Sequence, residues 1–198
     1  MATSIDTFMS TRVTGRLGGS DKRVLRQALE SIGEENVARC LSDGVTLSQP
    51  DDFVSEVPSR MAVYQPKDRK LTIASSRFDT GTLIHEFGHT IDDSLEPDLD
   101  GKPVLRSHVD PELGKLYSNY VDRCKSRGWA DRLWGSTQWS EYATTNVQEY
   151  LAEGVRLFAT SSRSHQKLAK SDPALSSYIE QVLHIPSQRF TTANSFLG

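Results

Sequence analysis

Two histidines stand four residues apart in the stretch LIHEFGHTIDD, and a glutamate directly follows the first of them. On a helix, His85 and His89 lie on successive turns of one face, where both imidazoles can bind a single ion about 2 Å away. Glu86 is offset from that face, so its carboxylate is too far to one side to bind the ion but can reach a water molecule bound to the ion. Such a carboxylate can take the proton of the water and pass it to a leaving amine. This HExxH spacing therefore predicts a zinc site with its catalytic base.

The residues around the two histidines have the pattern of an amphipathic helix over about 82–94, with Asp79 or Thr80 as its N-cap. Asp92 falls on the histidine face, where its carboxylate could orient a ligand histidine; the alternative is a surface carboxylate near the helix end. A solvated face carrying two unrelated histidines is the alternative to the metal site. The apolar stripe on the other side of the helix argues against it. This stripe consists of Leu83, Ile84, Phe87, Ile91 and Leu95.

A zinc site of this kind needs a third protein ligand. The third histidine of one common zinc pattern is absent, because Leu95 stands at its position. Glu112 is one candidate, although the helix dipole alone favours a glutamate in the first turn of a helix. Glu149 and Glu153 are the other, four residues apart on one face of a helix predicted over 147–160. We prefer this pair, which by itself would be typical of a solvated helix face.

The chain contains HEFGHTIDD, and further along a tyrosine followed by the stretch EYLAEGVRLF. This combination resembles the catalytic domain of anthrax lethal factor and its relatives, including the clostridial Pro-Pro endopeptidases. The combined pattern covers residues 83–158 and is much more specific than HExxH alone. The resemblance implies a zincin-type, zinc-dependent endopeptidase that hydrolyses peptide bonds with a zinc-bound water activated by Glu86. It further implies a toxin or effector that is secreted or delivered into a target cell.

The same resemblance implies a role for three further residues. Glu149 would complete the zinc site, and Glu153 would hold a ligand histidine or the active-site helix in place. Tyr142 stands seven residues before Glu149, where the family has a tyrosine that points to the zinc-bound water and the developing oxyanion. A phenol can donate that hydrogen bond at neutral pH without bringing a charge. A half-buried loop aromatic is the alternative for Tyr142.

The spacing of apolar residues along the chain, with its cap and turn residues, predicts a mostly helical α+β domain with a small sheet beside the HExxH helix. Further helices are expected near residues 20–33, 34–43, 111–127 and 173–184. A hairpin over 61–74, with a polar turn, directly precedes the metal helix.

The second strand of that hairpin, residues 70–75, is expected to offer a free sheet edge to an extended substrate. The alternative is an internal strand paired on both sides, with substrate contacts from the irregular segment 129–146. Residues 1–19 are Ser/Thr-rich and weakly hydrophobic and predict a mobile leader. Residues 20–198 would then form a single zinc metalloprotease catalytic domain.

Composition narrows the classes of partner. With 198 residues, 36% of them hydrophobic and 25% charged, the chain suits one globular domain. A net charge of −3 gives no basic field for nucleic acid or for an anionic membrane. We expect a monomer that acts on a peptide or protein substrate, with Cys40 and Cys124 as thiols rather than a disulfide. The N-terminus lacks the apolar core of a secretory signal, so we expect a non-classical export route or a cytoplasmic protein.

Two other functions fit the same motifs. A non-proteolytic zinc-binding domain could grip a partner protein through its cleft, although such a binder has no need for Glu86 between its ligands. A zincin that hydrolyses another amide, such as a cell-wall peptide, would use the same residues. Digestion of a peptide library with and without a chelator separates the endopeptidase from the binder.

Overall fold

The computed structural model describes residues 2–15, 17–49, 62–74, 79–93, 104–126 and 142–184. It confirms the predicted class, a mostly helical α+β fold with a small sheet beside the helix of the HExxH motif. The helices are α1 (Ser4–Thr11), α2 (Gly19–Ile32), α3 (Glu34–Ser42), α4 (Thr80–Asp92), α5 (Arg106–Val109), α6 (Pro111–Ser126), α7 (Val147–Thr160), α8 (Ser162–Ser171) and α9 (Pro173–His184). The strands are β1 (Val13–Gly15), β2 (Thr46–Gln49), β3 (Ala62–Gln65) and β4 (Lys70–Ile73).

Side-chain caps fix the first turns of the two helices that matter most for the site. Asp79 caps α4, accepting hydrogen bonds from the backbone N–H of Thr82 at 2.9 Å and from its hydroxyl at 2.7 Å. Asn146 caps α7 in the same way, accepting from the backbone N–H of Glu149 at 2.9 Å. Each cap satisfies an N–H group that has no partner within the helix. The second cap therefore fixes the backbone of Glu149 in the first turn of α7.

Helix α4 lies at the centre of the packing. Its predicted apolar stripe is fully buried at Leu83, Ile84, Phe87 and Ile91, while Leu95 lies outside the described residues. The opposite face is buried as well, because α7 packs along it and covers His85. The face that carries the histidines is thus an internal contact surface and not a solvated one.

The sheet corrects the predicted role of β4. Its strand order is β1-β2-β4-β3, with β1, β2 and β4 parallel and β3 antiparallel to β4. Since β4 pairs with β2 on one side and β3 on the other, the expectation of a free edge along residues 70–75 is wrong. Leu71, Thr72 and Ile73 are all buried, as suits a strand covered on both faces. Among the described strands, β3 ends the sheet next to α4.

The first residues of the chain differ from the expected mobile leader. Thr3 caps α1, and Ile5 and Phe8 of this helix are buried in the core. The Phe8 ring meets Phe87 of α4 edge-on, with 5.9 Å between ring centroids. Strand β1 then pairs with β2. The segment looks weakly hydrophobic on average, yet two apolar side chains about one turn apart suffice to dock a short helix.

Two smaller expectations concern the cysteines and the membrane. Cys40 is a buried free thiol and Cys124 a partly buried one, so the prediction of two thiols is confirmed. Within the described ranges, every helix is too short or too polar to cross a bilayer. The predicted irregular segment 129–146 lies mostly outside the described residues.

We expect Phe8→Ala to lower the free energy of unfolding by about 3–5 kcal/mol, because it removes a large, fully buried ring from its contact with Phe87 of α4. Ser10→Ala, on the exposed side of the same helix, is the matched control and should stay within about 0.5 kcal/mol of the wild type. Urea unfolding followed by circular dichroism measures both. An unchanged midpoint for Phe8→Ala would contradict the packing of α1.

Candidate metal centre

Three side chains from α4 and α7 meet where the two helices cross. His85, His89 and Glu149 form the one group in the described part of the chain whose ligand atoms could hold a metal ion, all within 4.8 Å of one another. The Oε2 atom of Glu149 lies 3.2 Å from Nε2 of His85 and 3.4 Å from Nε2 of His89. The two imidazole rings stand nearly perpendicular, with centroids 4.9 Å apart. Two nitrogen donors and one oxygen donor therefore face a common point.

The residues present fit a divalent metal ion. The Oε2 atom of Glu149 is buried and has no hydrogen-bond partner among the described residues, although two imidazole nitrogens lie beside it. A buried acceptor without a partner is costly, and an ion shared by the three atoms would remove that cost. Two imidazoles and one glutamate also form a donor set that proteins use for zinc with an open coordination position.

A carboxylate lies behind the first histidine. Glu153 is fully buried, and its Oε1 atom is 2.7 Å from Nδ1 of His85. A proton on Nδ1 shared with this carboxylate leaves the lone pair of Nε2 free to face the metal. This is the contact expected of a residue that holds a ligand histidine in place.

The close contact of α4 and α7 depends on a glycine inside the motif. A Cβ atom placed on Gly88 would lie 2.8 Å from the Cα of Ala152 and 3.2 Å from its Cβ. The two helices therefore touch backbone to backbone at this point, within one turn of His85, Glu149 and Glu153. Sequence reasoning assigned Gly88 no role. Its signal was present all the same, because a glycine in a helix interior costs about 1 kcal/mol relative to alanine and commonly has a packing reason.

Glu86 and Tyr142 lie at the same site. Glu86 is 6% exposed, and its Oε2 atom is buried without a hydrogen-bond partner among the described residues. Burial raises the pKa of this carboxyl group, and the neighbouring His89 and His85 partly offset that rise. The Tyr142 ring lies 5.7 Å from the His85 ring, and the residue is 43% exposed. The structure thus brings a carboxylate and a solvent-facing phenol to the three candidate ligands.

The charges of the site favour a cation. Burial lowers the pKa of His85, but contacts with Glu149 and Glu153 outweigh it and raise this pKa to about 10. Burial likewise raises the pKa of Glu149, yet the two imidazoles beside its carboxylate hold this pKa well below its usual range. With Glu86 also nearby, three carboxyl groups surround two imidazoles. Positive charge at the common point is stabilised, whether it comes as a proton or as a metal ion.

Two other candidates lie elsewhere. Both carboxylate oxygens of Asp92 accept hydrogen bonds from Ser107 of α5, from the backbone N–H at 2.6 Å and from the hydroxyl at 2.7 Å. No hydrogen bond or ion pair joins Asp92 to either histidine within the described ranges, so its orienting role stays a prediction. Glu112, the alternative third ligand, lies exposed in the first turn of α6 and is outside the cluster.

Comparison with known proteins gives a likeness of fold. No protein-family model matches the chain, and no curated protein matches it in sequence. Among solved structures, 25 chains match. One is a Pro-Pro endopeptidase from Paenibacillus alvei, with a TM-score of 0.60 and 18% sequence identity over 91% of this chain and 99% of that chain. This likeness agrees with the predicted fold, and membership of the lethal-factor-like family stays a prediction.

His85→Ala, His89→Ala and Glu149→Ala should each bind much less metal than the wild type, because each removes one of three donor atoms. The wild type should retain about one divalent ion per chain after zinc loading and gel filtration. Elemental analysis measures the content, and Glu112→Ala is the control that should retain it. Full metal in Glu149→Ala combined with loss in Glu112→Ala would mean that the third ligand is Glu112.

Gly88→Ala should weaken zinc binding about tenfold or more and lower the free energy of unfolding by about 1–3 kcal/mol, because the added methyl group forces α4 away from Ala152. Gly114→Ala is the matched control, since open space surrounds that position in α6. It should raise stability by roughly 0.5–1 kcal/mol and leave metal binding unchanged. Competition with a chromophoric chelator measures the affinity, and wild-type affinity in Gly88→Ala would refute the close-contact argument.

Proposed function

We propose that the protein is a zinc-dependent endopeptidase. The observation that carries this proposal is the position of Glu86, a buried carboxylate with an unpartnered oxygen beside three candidate metal ligands. A metal site that only stabilises the fold, or only binds a partner, has no use for such a group. Buried unpaired polar atoms in native proteins call for an explanation, and a catalytic role is one of the few available.

The residues of the chain divide the work of hydrolysis. A zinc ion, when bound, supplies Lewis acidity, which polarises the substrate carbonyl and makes water a stronger acid. Glu86 takes a proton from the attacking water and returns it to the amine that leaves. The phenol of Tyr142, on the solvent side of His85, donates a hydrogen bond to the oxygen of the tetrahedral intermediate. Glu153 keeps His85 oriented throughout.

The substrate is proposed to be an extended peptide held beside β3. In the described residues this strand pairs with β4 on one side only and packs against α4. An extended peptide can add to such an edge through backbone hydrogen bonds, which would bring its carbonyl groups over the metal helix. The structural neighbour is a Pro-Pro endopeptidase, so peptides with consecutive prolines are the first sequences to test.

The remaining sequence expectations stay predictions. They comprise membership of the lethal-factor-like family, a toxin or effector role, a non-classical delivery route and a monomeric state. The two alternatives differ from the proposal in measurable ways. A binding domain would retain zinc and cleave nothing, and a zincin for another amide would spare peptide libraries but cleave cell-wall peptides.

Zinc-loaded protein should cleave members of a peptide library that includes Pro-Pro sequences, and a chelator should abolish the cleavage. Glu86→Gln should keep its fold and its zinc but lose activity by several orders of magnitude, because the base is gone while the ligands remain. Glu180→Gln, at an exposed position of α9, is the matched control and should keep full activity. Mass spectrometry of the library gives the rates. Cleavage that survives both the chelator and Glu86→Gln would exclude the proposed mechanism.

A further inference from the structure

We propose that Arg156 is a positioning residue of the metal centre: it fixes the carboxylate of Glu153, which in turn holds His85 with its Nε2 atom towards the metal. The inference rests on the proposed metal site and adds a residue that lies one step behind it. It concerns the relay Arg156–Glu153–His85, which joins α7 to α4.

The relay divides one carboxylate between two neighbours. The Nε and Nη2 atoms of Arg156 both contact Oε2 of Glu153, at 2.9 Å and 2.8 Å. The other oxygen, Oε1, is left to His85 and lies 2.7 Å from its Nδ1 atom. Two N–H groups of a planar guanidinium that converge on one oxygen prevent the carboxylate from turning about its last bond. The second oxygen is thereby held at the imidazole.

Burial gives this contact more weight than an ordinary ion pair on a helix surface. The side chain of Glu153 is fully buried and that of Arg156 is 15% exposed. A carboxylate in such a place cannot draw hydrogen bonds from bulk water, and removing the guanidinium leaves its Oε2 atom without that compensation. An exposed pair three residues apart on a helix contributes only a few tenths of a kcal/mol.

Arg156 also reaches the helix that carries the histidines. A Cβ atom placed on Gly81, in the first turn of α4, would lie 4.0 Å from Cδ of Arg156. The aliphatic part of the arginine therefore lies near the start of α4, about one turn before His85. The side chain sits on α7, with its guanidinium on Glu153 and its stem close to α4.

The two sides of His85 are thus held by different carboxylates. Its Nε2 atom faces Glu149 across the metal position, and its Nδ1 atom faces Glu153. Groups that orient a ligand histidine from behind typically change metal affinity by about 10–100-fold when they are removed. If Arg156 acts through Glu153, its removal should reproduce part or all of that loss. A purely structural ion pair would change stability alone.

The test is a double-mutant cycle on zinc affinity. Arg156→Met keeps an unbranched aliphatic stem but removes the guanidinium, and it should weaken zinc binding about 10–100-fold. Arg156→Lys keeps a charge without the planar fork and should restore part of the affinity. In a Glu153→Gln background, Arg156→Met should have little further effect, because the group through which it acts is already altered.

Arg123→Ala is the matched control. Arg123 also binds a buried carboxylate, that of Asp172, at 2.8 Å, in a contact that joins α6 to the residue after α8 and includes none of the three candidate ligands. This variant should lower the midpoint of unfolding and leave the zinc affinity unchanged. Affinities come from competition with a chromophoric chelator, and stabilities from thermal unfolding of the metal-free variants.

Three outcomes overturn the inference. The first is an Arg156→Met variant that behaves like Arg123→Ala, less stable but with wild-type zinc affinity. The second is full additivity with Glu153→Gln. The third concerns the case in which Arg156→Met does not fold. In that case, a folded Arg156→Lys variant with wild-type zinc affinity overturns the inference. A wild-type protein that binds no zinc overturns the metal centre and this relay together, a pattern distinct from all three.

Discussion

The close contact between α4 and α7 at Gly88 and Ala152 sets the distance between the two helices, and the geometry of the whole candidate site follows from that distance. All three candidate ligands, the carboxylate behind His85 and the arginine behind that carboxylate belong to these two helices. Side chains as short as histidine and glutamate can share one ion only if the helix axes come close together. A glycine on one helix opposite an alanine on the other provides that distance. The caps Asp79 and Asn146 then set where each helix begins.

The arrangement would be a poor choice for stability alone. Glu86, Glu149 and Glu153 are all wholly or largely withdrawn from water, and one oxygen of Glu86 is buried without a hydrogen bond in the described part of the chain. Apolar side chains of similar size would pack there at less cost. Sites that retain such groups commonly do so for chemistry, and a divalent ion converts mutual repulsion between the carboxylates into shared attraction. The surrounding apolar core, which includes Phe87 and Ile84, packs the helices together and offsets the cost of burying these carboxylates.

Sequence patterns located α4 and α7 well because each has a cap, a strong apolar face and more than three turns. They missed α1 and α5, which are short, and α8, which buries Leu168 alone. They also missed β1 and β2, strands of three and four residues whose pairing partners lie far away in sequence. The same reason explains the wrong role for β4, since pairing on both sides is not visible within one strand. In the candidate site, spacing alone placed His85 and His89 on one helix face and paired Glu149 with Glu153 on another, and the resemblance selected Glu149 from that pair. The positions of Gly88 and Arg156 acquired a reason only from the contact between the two helices.

The separation of the ligands along the chain has a consequence for how the protein is made. His85 and Glu149 are 64 residues apart (149 − 85), and α4 also contacts the first helix of the chain through Phe8 and Phe87. Contacts between such distant segments form slowly, and during synthesis they must wait until the later segment has left the ribosome. Binding of a metal ion by the candidate centre would therefore be a late event in biogenesis. Until α7 emerges, α4 and its two histidines lack their packing partner along one face, and a nascent chain halted before residue 147 exposes that face.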